Sequence, residues 1–134
     1  MIHLDTNICI YIINQRSAAP VRALRARAKE TVAISAITVA ELEHGIAKSD
    51  AAERNRVALQ HFLAPLEIAP FDAAAAQCYG EIRAHLERRG TPIGPNDLFI
   101  AAHAISTGAT LVTNNTSEFS RVPGLSVENW TKLS

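Results

Sequence analysis

Cysteine is scarce in this chain of 134 residues: there are two, Cys9 and Cys78, and they form no CxxC pair. Neither a disulfide framework nor a cysteine-rich zinc site is therefore supported, and both thiols read as small core residues. Aromatic residues make up only 5%, so recognition of unpaired nucleic acid, which commonly uses ring stacking, has to lean on the arginines and on shape. No charge predominates: Lys plus Arg and Asp plus Glu each number 13, so a phosphate-binding surface has to be a local cluster rather than a global field. Six glycines and six prolines exclude a collagenous or low-complexity chain. Ile8 to Ile13 is an apolar run too short for a membrane span, and it follows Asp5 without the basic start of a signal peptide, which leads us to expect a cytoplasmic protein that engages no membrane. The GxxxxGK[ST], GxGxxG and HExxH patterns are missing too, which removes the common nucleotide loops and zinc helices.

What is present is a foldable core. Hydrophobic residues reach 48%, and the length suits a single domain over 1–134. Ile2 to Leu4 reads as a short strand, followed by a helix marked by Ile8, Tyr11 and Ile12. A second helix carries Ala23, Leu24 and Ala26 among arginines. Thr31 to Ser35 has the β-branched look of a strand. Helices are expected from Ser35 or Ala36 to about Lys48 and from about Asp50 to Leu63, with a third strand over Leu66 to Ile68 before Pro70. Asp72 is placed to cap a long helix that Gly90 ends, its inner stripe being Ala75, Tyr79, Ile82 and Leu86. Leu98 to Ile105 is almost wholly apolar, as for a helix packed on all sides; Thr110 to Val112 is a fourth strand, Asn114 to Ser120 a polar loop, and Leu125 to Val127 an edge strand. Strands separated by helices imply an α/β domain with a mostly parallel sheet.

Open parallel sheets bind ligands beyond the carboxyl ends of their strands. The first strand ends at Asp5-Thr6-Asn7 and the fourth at Thr113-Asn114-Asn115, with Glu118 close behind. Glu41 and Asp97 can approach from helices. The chain has four aspartates, two of them in this set. If these acids converge, their repulsion calls for a divalent cation, and oxygen donors with few histidines favour Mg²⁺ or Mn²⁺ over zinc. Each acid also has a plain role: Asp5 as a helix N-cap, Asp97 as a helix-terminal acid, Glu41 on a solvated face with His44 and Lys48, and Glu118 in a polar loop. Arg22, Arg25 and Arg27 are either a solvated face or a phosphate track. Ile8, Tyr11 and Ile12 with Leu42, Ile46, Val57 and Leu59 are either core or a groove for an amphipathic partner segment.

Four ordered stretches, LDTNICIYI, SAITVAELEHGI, GPNDLFIAAHAI and LVTNNTSEFSRVPGLSVENW, resemble PIN-domain ribonucleases of the VapC toxin type along the whole chain. Among these the chain is most similar to the toxins described as endonucleases of the initiator tRNA(fMet). The resemblance implies an α/β/α sandwich, magnesium-dependent phosphodiester hydrolysis, cleavage of tRNA in the anticodon region, restraint by a VapB-type antitoxin, and assembly as a homodimer and as a toxin–antitoxin hetero-oligomer. It makes Asp5, Glu41 and Asp97 metal-binding catalytic acids and Thr6 and Asn7 supports of the first. Many family members carry an aspartate where Asn115 stands, two residues after Thr113; Glu118 is the acid available to compensate. Two rivals remain: a phosphotransfer or receiver-like enzyme, disfavoured because Asn7 stands where it needs a second acid, and a non-catalytic RNA- or protein-binding module of the same fold.

Overall fold

A computed structural model describes residues 1–14, 18–27 and 29–131. Five strands form one sheet in the order β3-β2-β1-β4-β5, every neighbouring pair parallel. They are β1 (Ile2–Leu4), β2 (Val32–Ser35), β3 (Glu67–Ala69), β4 (Thr110–Val112) and β5 (Ser126–Glu128). The helices are α1 (Thr6–Asn14), α2 (Ala18–Ala26), α3 (Ala36–Ala47), α4 (Ala52–Leu63), α5 (Ala73–Arg89), α6 (Pro95–Ser106) and the single turn α7 (Thr116–Phe119).

Parallel strands need crossovers, and the helices that supply them cover both faces of the sheet. One core packs Ile82 and Leu86 of α5 and Ile100 to Ala102 of α6 against Leu111 and Phe119. The other packs Ile8 and Cys9, Leu42 and Ile46, and Leu59 against Ile2, Leu4, Ile34, Val112 and Trp130. Cys9 is buried and Cys78 partly so, both as free thiols. The fold is thus the expected α/β/α sandwich.

Local chemistry explains where the elements begin and end. Ser35 caps α3, its Oγ accepting from the Ile37 amide at 3.1 Å, and Asp72 caps α5, its Oδ1 accepting from the Ala75 amide at 3.0 Å. Gly90 ends α5 in the left-handed region at φ 69°. Strand pairing shifts two of the expected boundaries. Ala33, Ile34 and Ser35 pair with Glu67, Ile68 and Ala69, so β3 lies one residue later than its apolar pattern suggests; the same holds for β5, where Val112 pairs with Glu128. The expected polar loop 114–120 contains α7, whose Phe119 is completely buried. A helix of four residues is too short to show a period in its sequence.

The core also contains a polar seam. His3 and His103 are buried with their rings edge to face, centroids 5.1 Å apart. His103 Nδ1 lies 2.7 Å from Ser35 Oγ, and His3 Nε2 lies 3.3 Å from Thr107 Oγ1. His3 Nδ1 and Thr38 Oγ1 are the buried side-chain polar atoms left without a partner among the described residues. Burial, helped by the neighbouring His103, pushes the His3 imidazole down to about 4. No helix among the described residues is long and apolar enough to cross a membrane.

Candidate active site

The carboxyl ends of β1 and β4, side by side in the sheet, present Asp5 and Thr113 together. Asp5 is 4% exposed and Thr113 fully buried. The Asp5 amide is tied to the Val112 carbonyl at 3.0 Å, and its Oδ1 accepts from the Ile8 amide at 2.9 Å. Asp5 is therefore the N-cap of α1, as its residue type suggests, and this cap holds the side chain at the strand end. Burial raises its carboxyl above the usual range, opposed by hydrogen bonding from Thr113 and the Ile8 amide and aided by the charge of Glu41.

Glu41 reaches the same place from α3. Its Oε1 accepts from the Thr6 hydroxyl and its Oε2 from Asn96 Nδ2 at 3.1 Å. Both oxygens are thus held by residues adjoining the two aspartates in sequence, and the solvated-face alternative does not describe this side chain. Asn96 is a supporting residue that the sequence analysis does not single out; its place in PND, beside Asp97, is the signal that points to it. Asn7 is exposed, and its backbone amide, rather than its side chain, is the group that bears on Asp5.

Asp97 projects from the first turn of α6, which Pro95 opens. Its carboxyl is pushed up to about 7 by burial, then by the charges of Glu118, Asp5 and Glu41. Three acids from three other segments therefore act on this one group. Glu118 belongs to the set: its Oε1 accepts from the Gly94 amide and its Oε2 from Asn115 Nδ2, both at 2.7 Å. These donors, together with a hydrogen bond from Asp97, hold Glu118 below the usual range despite its partial burial. Asp97 is thus the member of the pair driven towards its protonated form and Glu118 the one driven towards its ionised form. Asn115 serves as a donor that aims Glu118, and its own amide is braced by Thr113 Oγ1 at 2.9 Å.

Hard oxygen donors suit a divalent cation such as Mg²⁺. As the side chains stand, no three His, Cys, Asp or Glu groups among the described residues are gathered closely enough to enclose an ion. Glu41 is turned onto Thr6 and Asn96, and Glu118 onto Gly94 and Asn115. The fit to a cation lies in the donor type, carboxylate oxygens of Asp5, Glu41, Asp97 and Glu118 at one edge of the sheet.

The arginine series is placed elsewhere. Arg22 and Arg25 are exposed on α2, whereas Arg27 is ion-paired with Glu30 and, at 2.8 Å, with Glu128. Arg27, in the turn after α2, is thus engaged in tying that turn to β5 and is not a free phosphate contact. The groove expected beside α1 exists as a cavity of about 420 Å³ between α1, α3 and α4. Leu42, Ile46 and Leu59 line it as expected, but α1 contributes Ile10 and Ile13 rather than Ile8, Tyr11 or Ile12. Ile8 is completely buried, and Val57 is 53% exposed.

Comparison with known proteins brings these features together. The PIN domain family matches residues 2–125. Over 130 residues the chain is 51% identical to Ribonuclease VapC2 of Rickettsia felis, covering 96% of this chain and 97% of that protein. It is 46% identical over 127 residues to the tRNA(fMet)-specific endonuclease VapC of Shigella flexneri, covering 95% and 96%. In three dimensions it is similar, with a TM-score of 0.92 and 49% identity, to a chain of VapBC2 from Rickettsia felis bound to a DNA fragment from their promoter, covering 97% of this chain and 99% of that one.

Proposed function

Because the chain belongs to the PIN-domain family and, within it, to the VapC ribonucleases, we propose that Asp5, Glu41 and Asp97 are the catalytic acids of a Mg²⁺-dependent endonuclease acting on tRNA. PIN-domain nucleases of this kind are metal-dependent endoribonucleases. The observation that carries the assignment is the placing of Asp5, Glu41, Asp97 and Glu118 from four segments at the carboxyl edge of the sheet, with Glu41 anchored on Thr6 and Asn96 and Glu118 on Gly94 and Asn115. Four acids brought to one sheet edge favour an enzyme over a non-catalytic module of the same fold.

Mg²⁺, or Mn²⁺ in its place, would be held by Asp5 and Asp97 with Glu41 direct or through water, and would supply an ionised water and a counter-charge for the scissile phosphate. The protein's own groups prepare that task. The Ile8 amide and Thr113 hydrogen-bond the Asp5 carboxyl and oppose the effect of its burial. Thr6 and Asn96 fix the Glu41 carboxylate so that it can orient the attacking water. Glu118, braced by Gly94 and Asn115, supplies the fourth negative group in place of the aspartate usual at the position of Asn115.

The preferred substrate is tRNA(fMet), on the strength of the Shigella relative's specificity. An anticodon loop offers the unpaired nucleotides that sequence-specific RNA enzymes favour. The structural similarity to VapBC assemblies supports an antitoxin partner, and the cavity between α1, α3 and α4 is an apolar seat for a helical segment of it. The toxin is taken to form a homodimer and, with antitoxin, a hetero-oligomer. Incubation of purified protein with total tRNA and Mg²⁺, followed by mapping of cleaved ends, tests the central claim. One tRNA cut at one place is expected; degradation of all RNA without a preferred site refutes the specificity, and no cleavage with either metal refutes the activity.

A further inference from the structure

A second cavity, of about 540 Å³, opens between α3 and α6 on the other side of Glu41. Thr6, Glu41 and Asn96, which line one part of it, adjoin the acid cluster; exposed His44 and Lys48 and half-buried Phe99 line the rest. We propose that this cavity seats the RNA nucleotide next to the cleaved bond, its phosphate against Lys48 and His44 and its base against Phe99.

Three observations support this assignment, which rests on the ribonuclease function proposed above. First, Glu41 and His44 on α3 and Lys48 at its C-cap recur at helical spacing, so they form a line leading about 10 Å away from the acids. A strand entering the cluster would follow that line. Second, among the described residues neither Lys48 nor His44 is in a salt bridge, whereas Arg27, Arg56 and Arg83 each face a glutamate. Both side chains are exposed, and Glu41, the acid that shares the cavity, is turned onto Thr6 and Asn96, so both are open to an incoming phosphate. Third, Phe99 is stiffened from behind: its ring stacks on Tyr79 with centroids 4.3 Å apart and meets Phe71 edge-on at 5.4 Å. A half-buried ring held in this way is a platform on which a base can stack whatever its identity. In a chain with so few aromatic residues, three of them back onto one wall of the cavity.

The test uses the full chain and two probes. Cleavage of total tRNA in Mg²⁺ establishes whether the wild-type protein is a ribonuclease. Binding of labelled single-stranded oligoadenylate is then measured against salt, in the Asp97→Asn background so that the strand stays whole. Lys48→Gln is expected to weaken binding about tenfold at low salt and to reduce the slope of log affinity against log salt by roughly 0.7, one phosphate contact on a single strand. Lys48→Arg restores the slope. In the otherwise wild-type protein the loss in tRNA cleavage falls on KM rather than kcat. Phe99→Leu weakens binding about tenfold without changing the slope, with melting followed because Phe99 also packs on Tyr79. Since Lys48 is exposed, its variants fold whatever Phe99 tolerates. A wild-type protein that cuts tRNA while Lys48→Gln leaves affinity, slope and KM unchanged overturns the inference and leaves the ribonuclease intact. A wild-type protein that cuts no RNA removes the ribonuclease instead, and if Lys48→Gln also leaves oligoadenylate binding untouched, the subsite falls with it.

Discussion

Replacing Asp97 by Asn should stabilise the metal-free protein, and by an amount that depends on pH. The carboxyl of Asp97 ionises at about 7 in the folded chain against 3.8 in its ordinary state. Between those values the unfolded chain has given up a proton that the folded chain still holds, so the folded state is increasingly penalised as pH rises from about 4 to 7. At 1.36 kcal/mol per pKa unit the full difference is about 4 kcal/mol. Asp97 is partly exposed, and solvent screening brings this nearer 2 kcal/mol. Loss of a negative charge from the first turn of α6 takes back roughly 0.5 kcal/mol. A net gain of about 1.5 kcal/mol corresponds to a melting temperature raised by about 5 °C at pH 8. Melts in EDTA at pH 5 and pH 8 should show the gain only at the higher pH. With Mg²⁺ the order should change: the wild type should gain from binding the ion and the variant should gain little, while tRNA cleavage by the variant collapses. A variant that melts below the wild type at pH 8 in EDTA, or that gains as much from Mg²⁺, refutes the reasoning about converging acids.

His3 acts in the opposite sense. Its folded pKa is about 4 against 6.5, so its contribution is complete above pH 6.5 and is lost as the pH falls towards 4, up to roughly 3 kcal/mol; urea midpoints across that window should decline in the wild type and less steeply in His3→Phe. Ser35→Ala removes the cap of α3 and the partner of His103 Nδ1, and should cost about 2–3 kcal/mol in denaturant titrations. Gly80 lies inside α5 with nothing within 4 Å of an added Cβ, so Gly80→Ala should add up to about 1 kcal/mol and leave cleavage unchanged; a loss of stability would show that the helix surface there is covered.

The helix caps show why much of the fold was legible. Asp72 and Gly90 delimit α5 by local hydrogen bonding and backbone freedom, so sequence spacing was enough. The boundaries of β3 and β5 depend instead on register with a partner strand, which a local pattern does not contain. For α1, the alternation of isoleucines offers more than one stripe, and only packing against α3 and α4 decides that Ile10 and Ile13 face the cavity while Ile8 enters the core. The site divides in the same way. Asp5 and Thr113 follow from the rule that strand ends bear ligands, but the bonds from Thr6 and Asn96 to Glu41 span 35 and 55 positions and are visible only in three dimensions. Arg27 looked like its neighbours until Glu128, 101 positions away, proved to be its partner.

The central place of β1 in the sheet sets the order in which the enzyme can be made. Ile2 pairs with Thr110, and the Asp5 amide waits for the carbonyl of Val112. The first acid of the chain has its local cap from Ile8 at once, but its tie to β4 comes only after more than a hundred further residues have been synthesised, and Asp97 and Glu118 emerge just as late. Joining such distant segments is slow compared with forming a helix. A ribosome translating this message therefore carries an unfinished sheet, without an assembled acid cluster, until the C-terminal third has left the tunnel.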